Sequence, residues 1–204
     1  ALARIPEGLH EMHRADQQAT LFPVEETGTA MAERVELNPL HVRRSTFLAG
    51  LAARVHRWFR LTPSFGPDLV SHILARMDTA PGSTVLDPFA GAGTTLIQSK
   101  LQGHNAIGFE LNPVLHFVCQ TSLEWALRAP ELADHLSSMR KRFSRLKSKY
   151  PGPSLEKAGL EAPPIHNVHR WWRPDVLFDL MLLKSVIRET VQDPPCRAFF
   201  ELAL

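Results

Sequence analysis

The stretch that decides the fold runs from Ser83 to Pro113 and reads S-T-V-L-D-P-F-A-G-A-G-T-T-L-I-Q-S-K-L-Q-G-H-N-A-I-G-F-E-L-N-P. Two short apolar runs within it each end on an acid, Asp87 and Glu110. Between them lie a glycine-bearing turn and a helix-like run that ends at Gly103. This order predicts one βαβ unit with a carboxylate at the end of each strand.

The turn favours a nucleotide-type ligand. Glycines let the backbone approach a ligand closely, and a helix N-terminus offers free N–H groups to an anion. Glu110 is placed to accept hydrogen bonds from both hydroxyls of a ribose. The turn does not match the dinucleotide-binding motif G-x-G-x-x-G, because Leu96 stands where a third glycine is required. It does not match the phosphate-binding P-loop either, because no lysine follows Gly93. A bound carboxylate plus a ribose fits S-adenosylmethionine, and an ordinary tight turn is the less favoured alternative.

Two motifs, D-P-F-A-G-A-G-T-T and A-I-G-F-E-L-N-P, resemble the cofactor half of the amino-group DNA methyltransferases, which act on adenine N6 or cytosine N4. The family commonly reads D-P-F-x-G-[S/T]-G-T-T, so Ala92 replaces a small hydroxyl residue. The resemblance covers residues 55–118. It implies an α/β, Rossmann-like methyltransferase fold, whose doubly wound sheet is incomplete here and carries a helical insertion.

The same resemblance implies roles for individual residues at a cofactor site. Asp87 would receive the cofactor's ammonium group, Phe89 would border the site of methyl transfer, and Glu110 would bind the ribose. The aromatic loop 64–66 would close over the methionine end. The expected cofactor-binding residues are Ser64, Phe65, Gly66, Asp87, Pro88, Phe89, Ala90, Gly91, Gly93, Thr94, Thr95, Glu110 and Asn112.

Composition sets broad limits on the class of protein. With 204 residues, 44% of them hydrophobic, the chain can form one globular domain with a real core. Two cysteines make no disulfide framework and no apolar run approaches membrane-spanning length, so a cytoplasmic location is expected. A net charge of +2 neither requires nor excludes nucleic acid. His10 and His13 have metal-ligand spacing but no companion ligands, so surface histidines are favoured and no metal is expected.

The chain divides into three expected parts. Residues 1–44 form an N-terminal arm, residues 45–118 the S-adenosylmethionine-binding part, and residues 119–204 a helical insertion or target-side region, with the chain expected to continue beyond. Ser45 resembles an N-cap and predicts a helix over 45–60. Pro67 predicts the start of another. Its expected buried face consists of Leu69, Val70, Ile73, Leu74 and Met77.

Two basic regions are candidates for contact with nucleic acid. One face of a predicted helix from Glu131 onward carries six basic residues, which are interpreted equally well as DNA contacts or as a solvated face. These are Arg140, Lys141, Arg142, Arg145, Lys147 and Lys149. The second region, 166–173, contains Trp171 and Trp172 among histidines and arginines. Such tryptophans can stack on bases, but packing against the following helix is favoured here.

The family's catalytic motif reads [D/N/S]-P-P-[Y/F/W]. Its first residue and a backbone carbonyl accept hydrogen bonds from the target amino group, and its aromatic residue stacks on the flipped base. The run Asp193-Pro194-Pro195-Cys196 has a cysteine, which cannot stack, and follows a helical run. We interpret it as a turn between helices, so the catalytic residues remain unknown and the motif is absent from these residues.

The favoured function is transfer of a methyl group from S-adenosylmethionine to an exocyclic amine of a flipped base in double-stranded DNA, with cytosine N4 slightly preferred over adenine N6. The alternatives are a non-catalytic or split nucleic-acid-binding subunit and, more weakly, an RNA methyltransferase. The remaining half of the methyltransferase domain is expected on a missing segment or on a second chain.

Overall fold

The computed structural model describes Thr46, Gly50, residues 52–61 and residues 63–204. It contains a small parallel sheet with flanking helices, followed by a helical region. The elements are α1 (Pro67–Arg76), β1 (Thr84–Asp87), α2 (Thr94–Leu101), β2 (Asn105–Gly108), α3 (Pro113–Ser122), α4 (Ala129–Lys149), α5 (Leu155–Ala158), α6 (Pro174–Thr190) and α7 (Pro194–Ala203), with 3-10 turns at His56–Trp58 and Val168–Arg170.

The predicted βαβ unit is present. β1 and β2 pair in parallel, with Thr84 opposite Asn105 and Asp87 opposite Gly108. α2 connects the two strands. Gly103 follows this helix with a φ of 77°, the left-handed conformation that commonly ends helices.

The two faces of this sheet differ in how they are covered. The face toward α2 carries Ala106 and Gly108, and a Cβ added at Gly108 would lie 2.7 Å from a Cδ of Leu96. A glycine here therefore allows the helix to lie close against the strand. On the opposite face Leu86 is 61% exposed and Ile107 45% exposed.

One edge of β1 is open as well. The N–H groups of Asn105 and Phe109 donate to the carbonyls of Ser83 and Asp87, so these alternate residues of β1 point toward β2. By the alternation of a parallel ladder, the backbone groups of Thr84 and Leu86 point to the other side. No strand pairs there within the part of the chain that the structure describes.

Helix α1 begins at Pro67 as predicted, but its apolar face is only partly buried. Val70 and Leu74 are each 5% exposed, whereas Ile73 is 46% and Met77 68% exposed. The prediction that Ile73 and Met77 are buried is therefore wrong. Both line a cleft of about 380 Å³ between α1 and the open edge of β1, so their side chains lie where the sheet ends.

The predicted helix over 45–60 is also wrong where it can be checked. Ser45 lies outside the described residues, and the described part consists of turns and the 3-10 turn His56–Trp58. Its apolar side chains have different packing partners. Val55 packs against the cluster below the glycine turn, and Trp58 packs edge-to-face on Phe199 with ring centroids 5.3 Å apart.

The helical region forms its own core. Its buried residues come from α4, α6, α7 and the α6–α7 connection: Met139, Val186, Ile187, Val191, Cys196 and Phe200. Asp193 caps α7 by accepting the N–H of Cys196 at 2.9 Å. The predicted turn between two helices at Asp193–Cys196 is therefore confirmed.

Candidate functional site

The two strand-end acids both hold the glycine turn. Asp87 Oδ1 accepts the N–H of Phe89 at 3.0 Å. Glu110 Oε2 accepts the N–H of Gly91 at 2.8 Å, and its Oε1 accepts the N–H of Asn112 at 2.7 Å. The parallel pairing brings the two carboxylates to the same edge of the sheet. The Glu110–Gly91 contact was missed by sequence reasoning, although a glycine turn leaves N–H groups that need acceptors.

The glycine turn has a fixed backbone. Gly91 and Gly93 have φ values of 55° and 89°, which favour glycine. The N–H of Ala90 donates to the carbonyl of Phe109 at 2.9 Å, tying the turn to the end of β2. Thr94 and Thr95 open α2, so their N–H groups have no acceptor within that helix. These donors are available to an anionic group.

Cys119 of α3 lies directly beneath the turn. A Cβ added at Gly93 would be 2.6 Å from the sulfur of Cys119, so the close approach and the positive φ both require glycine. Cys119 is 3% exposed, and burial raises the pKa of its thiol. It had no predicted role, and no local sequence signal links it to a turn so distant along the chain.

The predicted aromatic loop lies beside the turn. Ser64 and Phe65 line one small cavity, of about 30 Å³, together with Ala92 and Thr94. The Ser64 hydroxyl donates to the carbonyl of Leu61 at 2.9 Å. The cavity has room for about one water molecule, so any larger ligand would lie over the turn rather than within this cavity.

The remaining predicted residues surround these groups. Gly66 precedes α1 and is buried, Pro88 is exposed between Asp87 and Phe89, and Phe89 is itself 87% exposed. Asn112 caps α3, accepting the N–H groups of Val114 and Leu115 at 2.9 and 3.2 Å. Thr95 also lines the cleft beside α1, away from the small cavity.

A partly buried chain of polar side chains supports this side of the unit. His56 Nε2 lies 3.3 Å from Gln98 Oε1, and the Gln98 amide donates to the Ser71 hydroxyl at 2.8 Å. These contacts join the segment before α1 to α2. Burial lowers the pKa of His56, and the Gln98 contact partly offsets this.

The six basic residues predicted as DNA contacts do not form one free patch. Arg142 donates to Glu189 of α6 at 2.8 Å, which lowers the pKa of that carboxyl, and Lys147 pairs with Asp179. Lys149 Nζ lies 5.4 Å from the centroid of the adjacent Tyr150 ring. The exposed members without an ion-pair partner among the described residues are Arg140, Lys141, Arg145 and Lys149.

The favoured packing role for the paired tryptophans is wrong for one of them. Trp171 is 70% exposed, whereas Trp172 is half-buried and lines a cleft with Phe117 of α3. The two consecutive side chains therefore have different environments.

Two further findings concern the described residues only. Within them no group of three His, Cys, Asp or Glu side chains is placed to bind a metal ion, and His10 and His13 lie outside them. No helix in the same part of the chain combines the length and apolar character needed to cross a membrane.

These contacts define a mixed α/β unit with a small parallel sheet, in which two carboxylates and a helix N-terminus meet at a glycine turn. The family model for DNA methylases matches residues 43–118. The match covers little more than a third of the chain, and it confirms the resemblance to the N4/N6 amino-methyltransferases.

Several curated Type II methyltransferases are similar to part of the chain. The Type II methyltransferase M.BsoBI of Geobacillus stearothermophilus is 37% identical over 62 residues, which are 30% of this chain and 12% of that protein. M.AvaI of Anabaena variabilis is 35% identical over 69 residues, 34% of this chain and 14% of that protein. M.MthZI of Methanothermobacter thermautotrophicus is 28% identical over 111 residues, 51% of this chain and 31% of that protein. The matches thus span only a small part of each relative. No solved structure matches the chain significantly.

Proposed function

We propose that this chain carries the cofactor half of an S-adenosylmethionine-dependent DNA methyltransferase. The observation that carries the proposal is the meeting of Asp87, Glu110 and the start of α2 at one glycine turn, inside the segment that matches the DNA methylases. Two acids and a set of unpaired N–H groups suit a ligand with an ammonium, a ribose and a carboxylate.

Each part of the turn has a defined task in this proposal. Asp87 accepts from the ammonium group, and the N–H groups of Thr94 and Thr95 bind the carboxylate at the N-terminus of α2. Glu110 accepts from the ribose with lone pairs that Gly91 and Asn112 leave unused. The loop 64–66, Pro88, Phe89, Ala90, Gly91 and Gly93 shape the surrounding surface.

When bound, S-adenosylmethionine supplies an electrophilic methyl group. The exocyclic amine of a base held in line with it would form the new N–C bond while the C–S bond breaks, and the amine would then lose a proton. The flipped base lies in double-stranded DNA, with cytosine N4 slightly preferred over adenine N6. The chain's residues hold and orient the methyl donor, and the groups that accept from the amine are not among those assigned here.

The open sheet supports the view that this is one half of a larger domain. Parallel sheets are normally covered on both faces, yet Leu86 and Ile107 are exposed and no strand among the described residues pairs with one edge of β1. A Rossmann-like domain would place further strands and helices there. In this proposal residues 1–44 are an arm, 45–118 the cofactor part and 119–204 a helical, target-side region.

Calorimetric titration of the purified chain with S-adenosylmethionine tests the proposal. Saturable binding that S-adenosylhomocysteine competes away is expected, and the complete absence of binding would contradict the proposed function. Transfer of a labelled methyl group to double-stranded DNA then tests activity, with RNA as a parallel substrate.

The same open surface favours a second candidate, a split subunit that binds nucleic acid and completes a partner's active site. Binding of the cofactor without methyl transfer, followed by transfer once a chain bearing the Pro-Pro-aromatic motif is added, would support this candidate over a self-sufficient enzyme. A cytoplasmic location and a place in restriction-modification belong to either version, since both act on DNA.

A further inference from the structure

The segment of residues 165–173, which we call the Trp171 loop, connects the region after α5 to α6. Its two tryptophans differ in exposure. Trp172 is half-buried beside Phe117 and Leu180, which line the same cleft of about 430 Å³, whereas Trp171 is 70% exposed. Trp172 thus lies at a cleft shared with α3 and α6, whereas the indole of Trp171 is exposed to solvent.

Local backbone hydrogen bonds hold the loop in this conformation. The N–H groups of Trp171 and Trp172 both donate to the carbonyl of Val168, at 3.1 and 3.2 Å, and that of Arg170 donates to the carbonyl of Asn167 at 2.8 Å. Asn167 has a φ of 53°, a left-handed conformation that asparagine tolerates better than most residues. A held backbone loses little entropy on binding, so the exposed ring is pre-organised as a contact surface.

The charge around Trp171 is positive. No acid occurs between Glu161 and Asp175. Arg173 donates to both carboxylate oxygens of Asp175, and this contact lowers the pKa of Asp175 to about 2. Arg170 is exposed and has no ion-pair partner among the residues that the structure describes, so it is the cation available beside the indole.

We propose that the Trp171 loop binds an unpaired base of a DNA strand. The indole of Trp171 stacks on the base, and the guanidinium of Arg170 contacts a neighbouring phosphate. Exposed His166 and His169 add donors along the backbone. A protein partner would favour apolar neighbours around the ring, whereas most of the exposed neighbours here are polar or cationic. The proposal deepens the proposed function, on which it rests for the choice of DNA.

The test uses the full chain and a short fluorescein-labelled single-stranded oligodeoxynucleotide, with the matching duplex as a second probe, read by fluorescence anisotropy. Trp171→Ala is expected to weaken single-strand binding by about fivefold to a hundredfold, because each base–aromatic stack contributes about 1–3 kcal/mol. Trp171→Phe keeps a stacking face and is expected to stay within about threefold of the wild type. Duplex binding should change less than single-strand binding.

Two controls separate stacking from other effects. Trp125→Ala removes another surface indole, 38% exposed and bonded to the carbonyl of Ser122, and should leave the affinity unchanged. Arg170→Ala should lower the slope of log affinity against log salt by about one. Thermal unfolding of every variant checks that the fold is retained.

Equal losses in Trp171→Ala and Trp125→Ala would overturn the proposal, as would absence of single-strand binding by the wild type at low salt. Loss of self-association in Trp171→Ala with unchanged oligonucleotide affinity would overturn it in favour of a protein contact. The affinity of the wild type for S-adenosylmethionine is measured by calorimetry in parallel. Failure of the wild type to bind this cofactor would contradict the proposed function, whereas the oligonucleotide series reports on the loop alone.

Discussion

The βαβ unit and the helical region differ in how completely they bury their apolar surface. In the helical region, Val186 and Val191 are 0% exposed and Met139 is 4% exposed. All three belong to one hydrophobic cluster, to which α4, α6, α7 and the α6–α7 connection contribute. In the unit that holds the candidate site, Leu86 and Ile107 remain largely exposed. The βαβ unit carries the more informative sequence motif, yet it buries its apolar side chains less completely than the helical region does. A clear motif therefore does not indicate that the surrounding structure is fully packed.

The largest expected effect is at the glycine turn. Gly93→Ala should destabilise the protein by about 2–5 kcal/mol, because it adds the strain of a left-handed alanine to overpacking against Cys119. Gly103→Ala is the matched control, since Gly103 also has a positive φ but no atom within 4 Å of an added Cβ. It should lose only about 1–2 kcal/mol. Denaturant unfolding measures both, and equal losses would show that the contact with Cys119 is unimportant.

The next effect concerns the helical core. Val186→Ala should lower the free energy of unfolding by about 2 kcal/mol, because it removes buried methyl groups and leaves a cavity. Val176→Ala, on the same helix but 40% exposed, should change it by less than about 0.5 kcal/mol. Cofactor affinity, measured by calorimetry, should be unchanged in both. A loss of cofactor affinity in Val186→Ala would show that the helical core and the βαβ unit are energetically coupled, contrary to this comparison.

A smaller change is expected at the strand-end acid. Glu110→Gln keeps one acceptor oxygen but loses the charge and one of its two contacts with Gly91 and Asn112, so stability should fall by about 1 kcal/mol. Affinity for S-adenosylmethionine should fall about tenfold or more, since hydrogen bonds to a charged acceptor are the stronger kind. Calorimetry and thermal unfolding measure the two effects.

Glu124→Gln is the control for this change, because Glu124 Oε1 accepts the N–H of Ala126 at 2.9 Å away from the turn. It should not alter cofactor affinity. Equal affinity of Glu110→Gln and the wild type would remove Glu110 from the proposed site.

The smallest expected effect is on the pH dependence of stability, and it arises at the buried cysteine Cys196. Burial and the contact with Asp193 raise the pKa of Cys196 from 9.0 to about 11, and burial raises that of Cys119. Because the folded state favours the neutral thiol, this contribution to stability is complete below the ordinary thiol pKa and is lost as the pH rises through the raised one. Cys196→Ser should therefore flatten the alkaline decline in unfolding free energy. An unchanged decline would show that Cys196 does not titrate in this range.

The sequence was most informative where neighbours along the chain determine structure. The βαβ unit, the start of α1 at Pro67 and the turn at Asp193 all follow from local signals: apolar runs, proline, glycine and a capping acid. The same signals predicted that Asp87 and Glu110 lie close together, because the carboxyl ends of parallel strands meet at the same edge of a sheet.

Long-range contacts explain what the sequence did not reveal. Arg142 and Lys147 were placed on a basic face, but their acidic partners lie on α6, 47 and 32 residues away. Ile73 has the spacing of a buried residue, yet its exposure depends on where the sheet ends. Trp171 and Trp172 are adjacent in sequence, and they differ because only Trp172 lines the cleft beside α3.

The open edge of β1 bears on how the chain behaves when it is prepared alone. β1 reads T-V-L-D and carries neither the lysine nor the proline that commonly protects an exposed edge strand from intermolecular pairing. Raising the protein concentration should therefore promote aggregation through Thr84 and Leu86 before any loss of secondary structure. Light scattering across a dilution series measures the average particle mass. It will show the protein concentration below which the chain is monomeric, so that other solution measurements describe the monomer.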